Sequence, residues 1–210
     1  MTNGPRVLVT GGNGFIGSVV VRMLVDKGYQ VRCLVRAQSR TERIDGLPVE
    51  QVKGDVCDAA SVRAAMQGCG FVVHLAGISR WDEIHSSRME RVVVDGTTNV
   101  LDAARALGGP RTVFVSSAVA VNGTRRPVVH TEASPSSLAL DRYVYAKAKR
   151  EAEARCRLRR RAVRPMPIPR GPVPPPHCPK PRSGRAATPP RCVPHPSWPP
   201  SGQPSTGLSS

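Results

Sequence analysis

The residues best suited to proton chemistry lie in Tyr143-Val-Tyr-Ala-Lys-Ala-Lys149, where Tyr143 and Lys147 are four residues apart and Tyr145 and Lys149 repeat the spacing. Residues i and i+4 share one face of a helix, so either pair sets a phenol beside an ammonium. A phenol with an ordinary pKa near ~10 exchanges protons poorly at neutral pH, and an adjacent cation lowers that value by stabilising the phenolate. Spacing alone leaves both pairs open. Ser116-Ser117, at the end of a predicted strand, adds a hydroxyl able to orient a substrate carbonyl.

A second constellation stands near the N-terminus. Thr10-Gly-Gly-Asn-Gly-Phe-Ile-Gly17 follows an apolar, β-branched segment and opens a helical pattern, the context in which a glycine cluster binds a dinucleotide. Gly11 permits a tight turn, Gly14 lets the backbone approach a pyrophosphate, and Gly17 permits close helix–sheet packing, with the phosphates at the helix N-terminus. At the end of the second strand, an NAD enzyme places an acid on the adenosine ribose hydroxyls. Arg36 stands there instead. A guanidinium cannot accept those hydroxyl bonds but suits a 2′-phosphate, with Arg40 or Arg43 assisting, so NADP is expected over NAD.

The elements that must position these groups alternate in type. Arg6–Thr10 reads as strand, 14–27 as helix, Gln30–Val35 and Val49–Lys53 as strands, and Ala59–Met66 as helix. Then come 71–76 as strand, 84–107 as helical, 112–116 as strand, and 143–161, helical through at least Ala154. Near-continuously apolar strands separated by helices predict an α/β fold: a Rossmann-type, doubly wound parallel sheet covered on both faces.

Composition divides the chain in two. Residues 1–154 hold 20 basic and all 15 acidic residues with 5 prolines; residues 155–210 hold 11 basic residues, no acid and 16 prolines. The first part is long enough for one domain with a sizeable core. No apolar run approaches the roughly 18 residues of a membrane helix, and the N-terminus lacks an export signal, so no membrane is expected and the cytoplasm is the expected compartment. In that compartment the six cysteines are expected as free thiols.

Taken in order, the motifs resemble the extended short-chain dehydrogenase/reductases, also labelled NAD-dependent epimerase/dehydratases, across residues 6–154. TGGNGFIG is joined by Gly54-Asp55-Val56, Val73-His74-Leu75-Ala76-Gly77, Gly96-Thr-Thr-Asn-Val-Leu101, Phe114-Val-Ser-Ser117 and Tyr143-x-x-x-Lys147 with Glu151 four residues on. The resemblance implies that Phe15 and Ile16 join the cofactor turn, that Asp55 and Val56 meet the adenine, and that Leu75, Ala76 and Gly77 line the cofactor. It selects Tyr143 as the proton-exchanging group, Lys147 as its tuner and a ligand of the nicotinamide ribose, and Ser117 over Ser116 as the carbonyl's partner. Arg36 and the Ser-Ser-Ala stretch look most like the dihydroflavonol-reductase and 3β-hydroxysteroid-dehydrogenase branch, so hydride transfer on a small carbonyl or alcohol substrate is implied. Relatives often dimerise through helices that include the Tyr/Lys one. Gly77 and Val93 depart from the family's usual Ala and Asn.

Beyond residue 154 the resemblance fails. A relative would enter a sixth strand ending in Arg-Pro and then a substrate-binding lobe, whereas here prolines every few residues exclude regular structure and predict a disordered tail. Its residues are those of GC-rich codons read out of register, which points to a frameshift near codon 155. A truncated, weakly active or inactive enzyme with an open sheet edge is then expected. The rival readings are a non-catalytic NADP-binding module, or a basic arm holding nucleic acid or another polyanion by phosphate neutralisation; the near absence of aromatics disfavours nucleic acid. His177-Cys178 and Cys192-x-x-His195 fit no common zinc module, so no metal is expected.

Overall fold

A computed structural model of the chain describes residues 4–78, 86–121, 128–131, 133–134 and 143–160. All described elements lie in the first of two units, Met1–Met166; the second, Pro167–Ser210, lies outside the described residues together with most of the sequence-predicted tail.

The order is β1 (Arg6–Thr10), α1 (Phe15–Asp26), β2 (Gln30–Val35), β3 (Val49–Lys53), α2 (Ala59–Met66), β4 (Phe71–His74), α3 (Gly96–Ala106), β5 (Arg111–Phe114) and α4 (Val144–Arg160). The five strands are all parallel in the order β3-β2-β1-β4-β5. The chain reverses its direction of sheet growth between β1 and β4, and ligands of doubly wound sheets bind beyond the strand C-termini at such a switch.

Strand alternation sends neighbouring side chains to opposite faces. Val7 and Val9 point with Val31, Cys33 and Val35 toward Val21 of α1 and Ile44. Leu8, Leu34 and Val72 point the other way, into Val62 and Met66 of α2 and Val100 and Ala103 of α3. Leu8 is wholly buried, which contributes about 1.5–3 kcal/mol. Asp58 starts α2 by accepting the Ala60 N–H at 3.0 Å, and Arg32 of β2 donates to the Ala65 and Gln67 carbonyls at its far end, both at 2.8 Å.

Two elements differ from the sequence-predicted ones. The helical segment expected over 84–107 is π-helical at Glu90–Asp95 before it becomes α3. Thr97 and Thr98 donate their hydroxyls back to the Val93 and Val94 carbonyls at this junction, an alternative partner that apolar periodicity does not report. The last helix, Val144–Arg160, fills the helical pattern expected over 143–161 and so takes six residues from the stretch assigned to the disordered tail. Arg155–Glu151 and Arg157–Glu153 pairs at i,i+4 and an Arg159–Asp102 pair support it, and no proline intervenes before residue 165.

A third apolar cluster sets how α4 lies. Ala148 and Ala152 are buried against Met89, Val93, Val94 and Ile78, with Val144 and Tyr145 partly buried beside them. This fixes which face of α4 looks toward the sheet. Among the described residues Cys33, Cys57, Cys69 and Cys156 are free thiols, and no helix is long and apolar enough to cross a membrane.

Candidate active site

Beyond the C-terminal ends of β1, β4 and β5 lies a cleft of about 440 Å3. Its first wall is the turn after β1. Gly11 has φ +72°, a left-handed conformation, and a Cβ there would meet the Ala76 nitrogen at 2.8 Å. Gly17 is packed so closely on the turn that a Cβ would run into the Gly11 carbonyl oxygen. No side chain caps α1, whose N-terminal residues Phe15 and Ile16 remain 79% and 62% exposed at the cleft. An uncapped helix N-terminus behind a turn stripped of side chains is a cradle for an anion. A pyrophosphate-containing cofactor therefore fits these residues.

The floor is a polarised hydrogen-bond chain. Thr10 and His74 are register partners on β1 and β4. Thr97 Oγ1 donates to the Val93 carbonyl, so it accepts from His74 Nε2 at 3.1 Å; Nδ1 must then accept from Thr10 Oγ1 at 2.6 Å, which in turn accepts the Ala76 N–H at 3.3 Å. Every member is satisfied with the imidazole neutral. Burial, together with the Lys149 charge, pushes the His74 pKa down to about 3. The Ala76 amide, on the cleft wall, is thereby held in place.

All eleven residues expected to bind cofactor apart from the lysine line this cleft: Gly11, Gly14, Phe15, Ile16 and Gly17 on the turn, Arg36 after β2, Asp55 and Val56 after β3, and Leu75, Ala76 and Gly77 after β4. Asp55 is fixed there, its carboxylate accepting the Cys57 N–H at 2.9 Å. The wall also holds residues that motif reading missed, among them Asn13, Ser39 and Arg88. Asn13 donates to the Arg40 carbonyl at 2.9 Å and ties the segment after Arg36 to the turn. None carries a signal in its residue type; proximity alone brings them in.

At the opposite end the geometry departs from the resemblance-based expectation. The cleft is lined by Ser116, Tyr145 and Lys149, whereas Ser117, Tyr143 and Lys147 are not part of its wall. Tyr143 precedes the first residue of α4 and is 54% exposed, and Lys147 is exposed. Two residues along a helix turn the side chain by about 200°, so packing Ala148 and Ala152 inward takes Lys149 to the sheet and Lys147 away from it. Lys149 is 5% exposed; its Nζ donates to the Val115 carbonyl at 2.9 Å and lies 4.9 Å from the Phe114 ring centroid. Burial pulls its pKa below the ordinary lysine value, opposed by the Glu153 carboxylate. Ser116 Oγ donates to Glu153 Oε1 at 2.5 Å. A sequence signal for this pair existed: Glu153 stands four residues beyond Lys149, as Glu151 stands beyond Lys147.

Known proteins resemble this chain in sequence and in fold. A family profile described as the NAD dependent epimerase/dehydratase family matches residues 7–167, so the likeness extends past residue 154 and takes in Arg164-Pro165, an Arg-Pro pair where none was expected. A putative dihydroflavonol 4-reductase from Synechocystis is 39% identical over 66% of this chain and 41% of its own length. A 3 beta-hydroxysteroid dehydrogenase/Delta 5-->4-isomerase from Mycobacterium tuberculosis is 40% identical over 56% of this chain and 33% of its own. Among solved structures, the Thermus thermophilus UDP-glucose 4-epimerase complex with NAD superposes with a TM-score of 0.65 at 27% identity, covering 75% of this chain and 51% of that one. The chain thus spans about half the length, or less, of the proteins it matches. A parallel sheet switching direction at an anion cradle, and a profile matched over most of the sequence, make the chain a member of the NAD dependent epimerase/dehydratase family.

Proposed function

We propose that the chain binds NADP in this cleft and serves hydride transfer at a carbonyl or alcohol carbon of a small molecule, with Tyr145 and Lys149 as the working groups. The observation that carries this reading is the buried Lys149 ammonium held beside β5 in the same cleft as Tyr145 and the glycine turn. When bound, the nicotinamide supplies or accepts the hydride. The Tyr145 phenol exchanges a proton with the substrate oxygen, and Lys149, four residues on along α4, faces the same cleft. The Ser116 hydroxyl on the wall gives its hydrogen to Glu153, and Ser117, expected to hold the substrate oxygen, is not on the wall. Tyr143 and Lys147, exposed and away from the wall, serve the same role less well. Of the relatives above, the two matched in sequence are named a reductase and a dehydrogenase/isomerase and the superposed structure an epimerase; the sequence matches support the redox reading.

Arg36 and Ser39 on the wall supply a cation and a hydroxyl for a 2′-phosphate, which supports NADP over NAD. NADPH and NADH fluorescence titrations test this: Arg36→Ala is expected to weaken NADPH about tenfold and NADH little. Equal losses for both cofactors would overturn the preference. Against a panel of aldehydes and ketones, Tyr145→Phe is expected to lower turnover by roughly 10²–10⁴ while cofactor binding persists, and Tyr143→Phe to change it less than about twofold. The reverse pattern would return the role to Tyr143. Cofactor binding without turnover in the unaltered chain would mark a non-catalytic binding module.

A further inference from the structure

Helix α4 grips the end of β5 through side chains on consecutive turns. Lys149 donates to the Val115 carbonyl at 2.9 Å, and Glu153, one turn on, accepts from the hydroxyl of the next residue, Ser116, at 2.5 Å. The other carboxylate oxygen of Glu153 accepts from Arg157 Nη2 at 3.2 Å, so the carboxylate is held from both sides. Arg150 adds a separate grip on the Ala120 and Val121 carbonyls at 2.8 and 3.0 Å.

We propose that Glu153 is a positioning residue of the site: by accepting the Ser116 hydroxyl hydrogen one turn beyond Lys149, it locks the rotation that Ala148 and Ala152 give α4 and so holds Lys149 and Tyr145 at the cleft. The proposal rests on the reading of Tyr145 and Lys149 as the working pair. An ordinary helix-surface Glu would need only Arg157, four residues on; Glu153 also reaches 37 residues back to Ser116, two residues beyond β5. Such a bond to an ionised acceptor is stronger than a neutral one and fixes direction as well as distance. Its charge also offsets the cost of burying the Lys149 ammonium, against which the neutral His74 imidazole and the Phe114 ring are the other facing groups.

The test uses the full 210-residue chain. Affinity for NADPH is measured by fluorescence titration, the Lys149 titration by competitive amine labelling read by mass spectrometry across pH, and folding by circular dichroism. Glu153→Ala is expected to weaken NADPH about tenfold and to move the Lys149 titration to lower pH, while Arg157→Ala, which leaves the Ser116 bond, stays within about twofold of the unaltered chain. Ser116→Ala combined with Glu153→Ala is expected to be no weaker than Glu153→Ala alone, because both remove one contact. Should Glu153→Ala fail to fold, the isosteric Glu153→Gln carries the test: it keeps an acceptor oxygen, so affinity recovers partly while the Lys149 titration still falls.

An unchanged Lys149 titration in both Glu153 variants overturns the proposal, as does an Arg157→Ala loss equal to that of Glu153→Ala, which would reduce Glu153 to a helix stabiliser. Lys149→Met separates the two readings. If it weakens NADPH while the Glu153 variants do not, only the positioning role fails; if it leaves NADPH binding intact, the assignment of the working pair fails and the proposal with it.

Discussion

The two ends of the cleft are built by opposite means. At the β1–α1 turn the surface is backbone: the Gly14 N–H donates to the Gly11 carbonyl at 3.1 Å, the Ser18 N–H to Gly14 at 2.9 Å, and any Cβ at Gly11 or Gly17 meets main chain. At the β5–α4 end the surface is side chain, and its bonds join residues 34 and 37 apart. The first is a local construction whose requirements are written in consecutive residues. The second exists only once a helix has docked on a strand. A backbone cradle tolerates no substitution, whereas a side-chain clamp can lose members one at a time.

Gly17→Ala attacks the cradle and has the largest expected effect. Main chain cannot give way as a flexible side chain does, so overpacking should cost about 3 kcal/mol of stability and most NADPH affinity, read from urea unfolding and fluorescence titration. A variant as stable as the unaltered chain would show the turn to be more open than its geometry requires.

His74 joins β1 to β4 below the cleft and tests whether the two ends share a foundation. Its folded pKa of about 3 lies below the unfolded 6.5, so the unfolded chain binds the extra proton. The neutral imidazole therefore contributes fully above pH 6.5, and the contribution is lost as pH falls from 6.5 toward 3, with a slope of up to about 1.4 kcal/mol per pH unit. Urea midpoints between pH 7.5 and 4 should fall more steeply for the unaltered chain than for His74→Gln, which cannot titrate. Parallel curves would mean that His74 does not stay neutral in the fold.

Arg155→Ala removes an exposed i,i+4 pair from the far end of α4 and should cost no more than about 0.5 kcal/mol. A loss of several kcal/mol in the same urea measurement would make the distal turns part of the clamp rather than an extension of it.

Much of the fold is legible because apolar periodicity is local. β1, β2, β3 and α2 occupy the residues their patterns predict, and β4 and β5 differ only at their ends. The π-helical Glu90–Asp95 is not legible, since it depends on Thr97 and Thr98 bonding backward and on the Asn99 side chain donating to the Val56 carbonyl across 43 residues. The helical pattern of 143–161 anticipates α4, and only the tail boundary at 155, drawn from composition, falls inside it: arginines without nearby prolines are good helix formers even when they adjoin a proline-rich stretch.

The order of motifs by itself determined the anion cradle, the parallel sheet and the family, because glycines at a strand–helix turn and β-α alternation act over a few residues. Which tyrosine and lysine face the cleft was decided only by tertiary structure. Both pairs have helical spacing and both carry a Glu four residues on, so nothing local distinguishes them. Ala148 and Ala152, small enough to press against Met89 and Val93, turn α4 so that Lys149 reaches Val115 and Glu153 reaches Ser116.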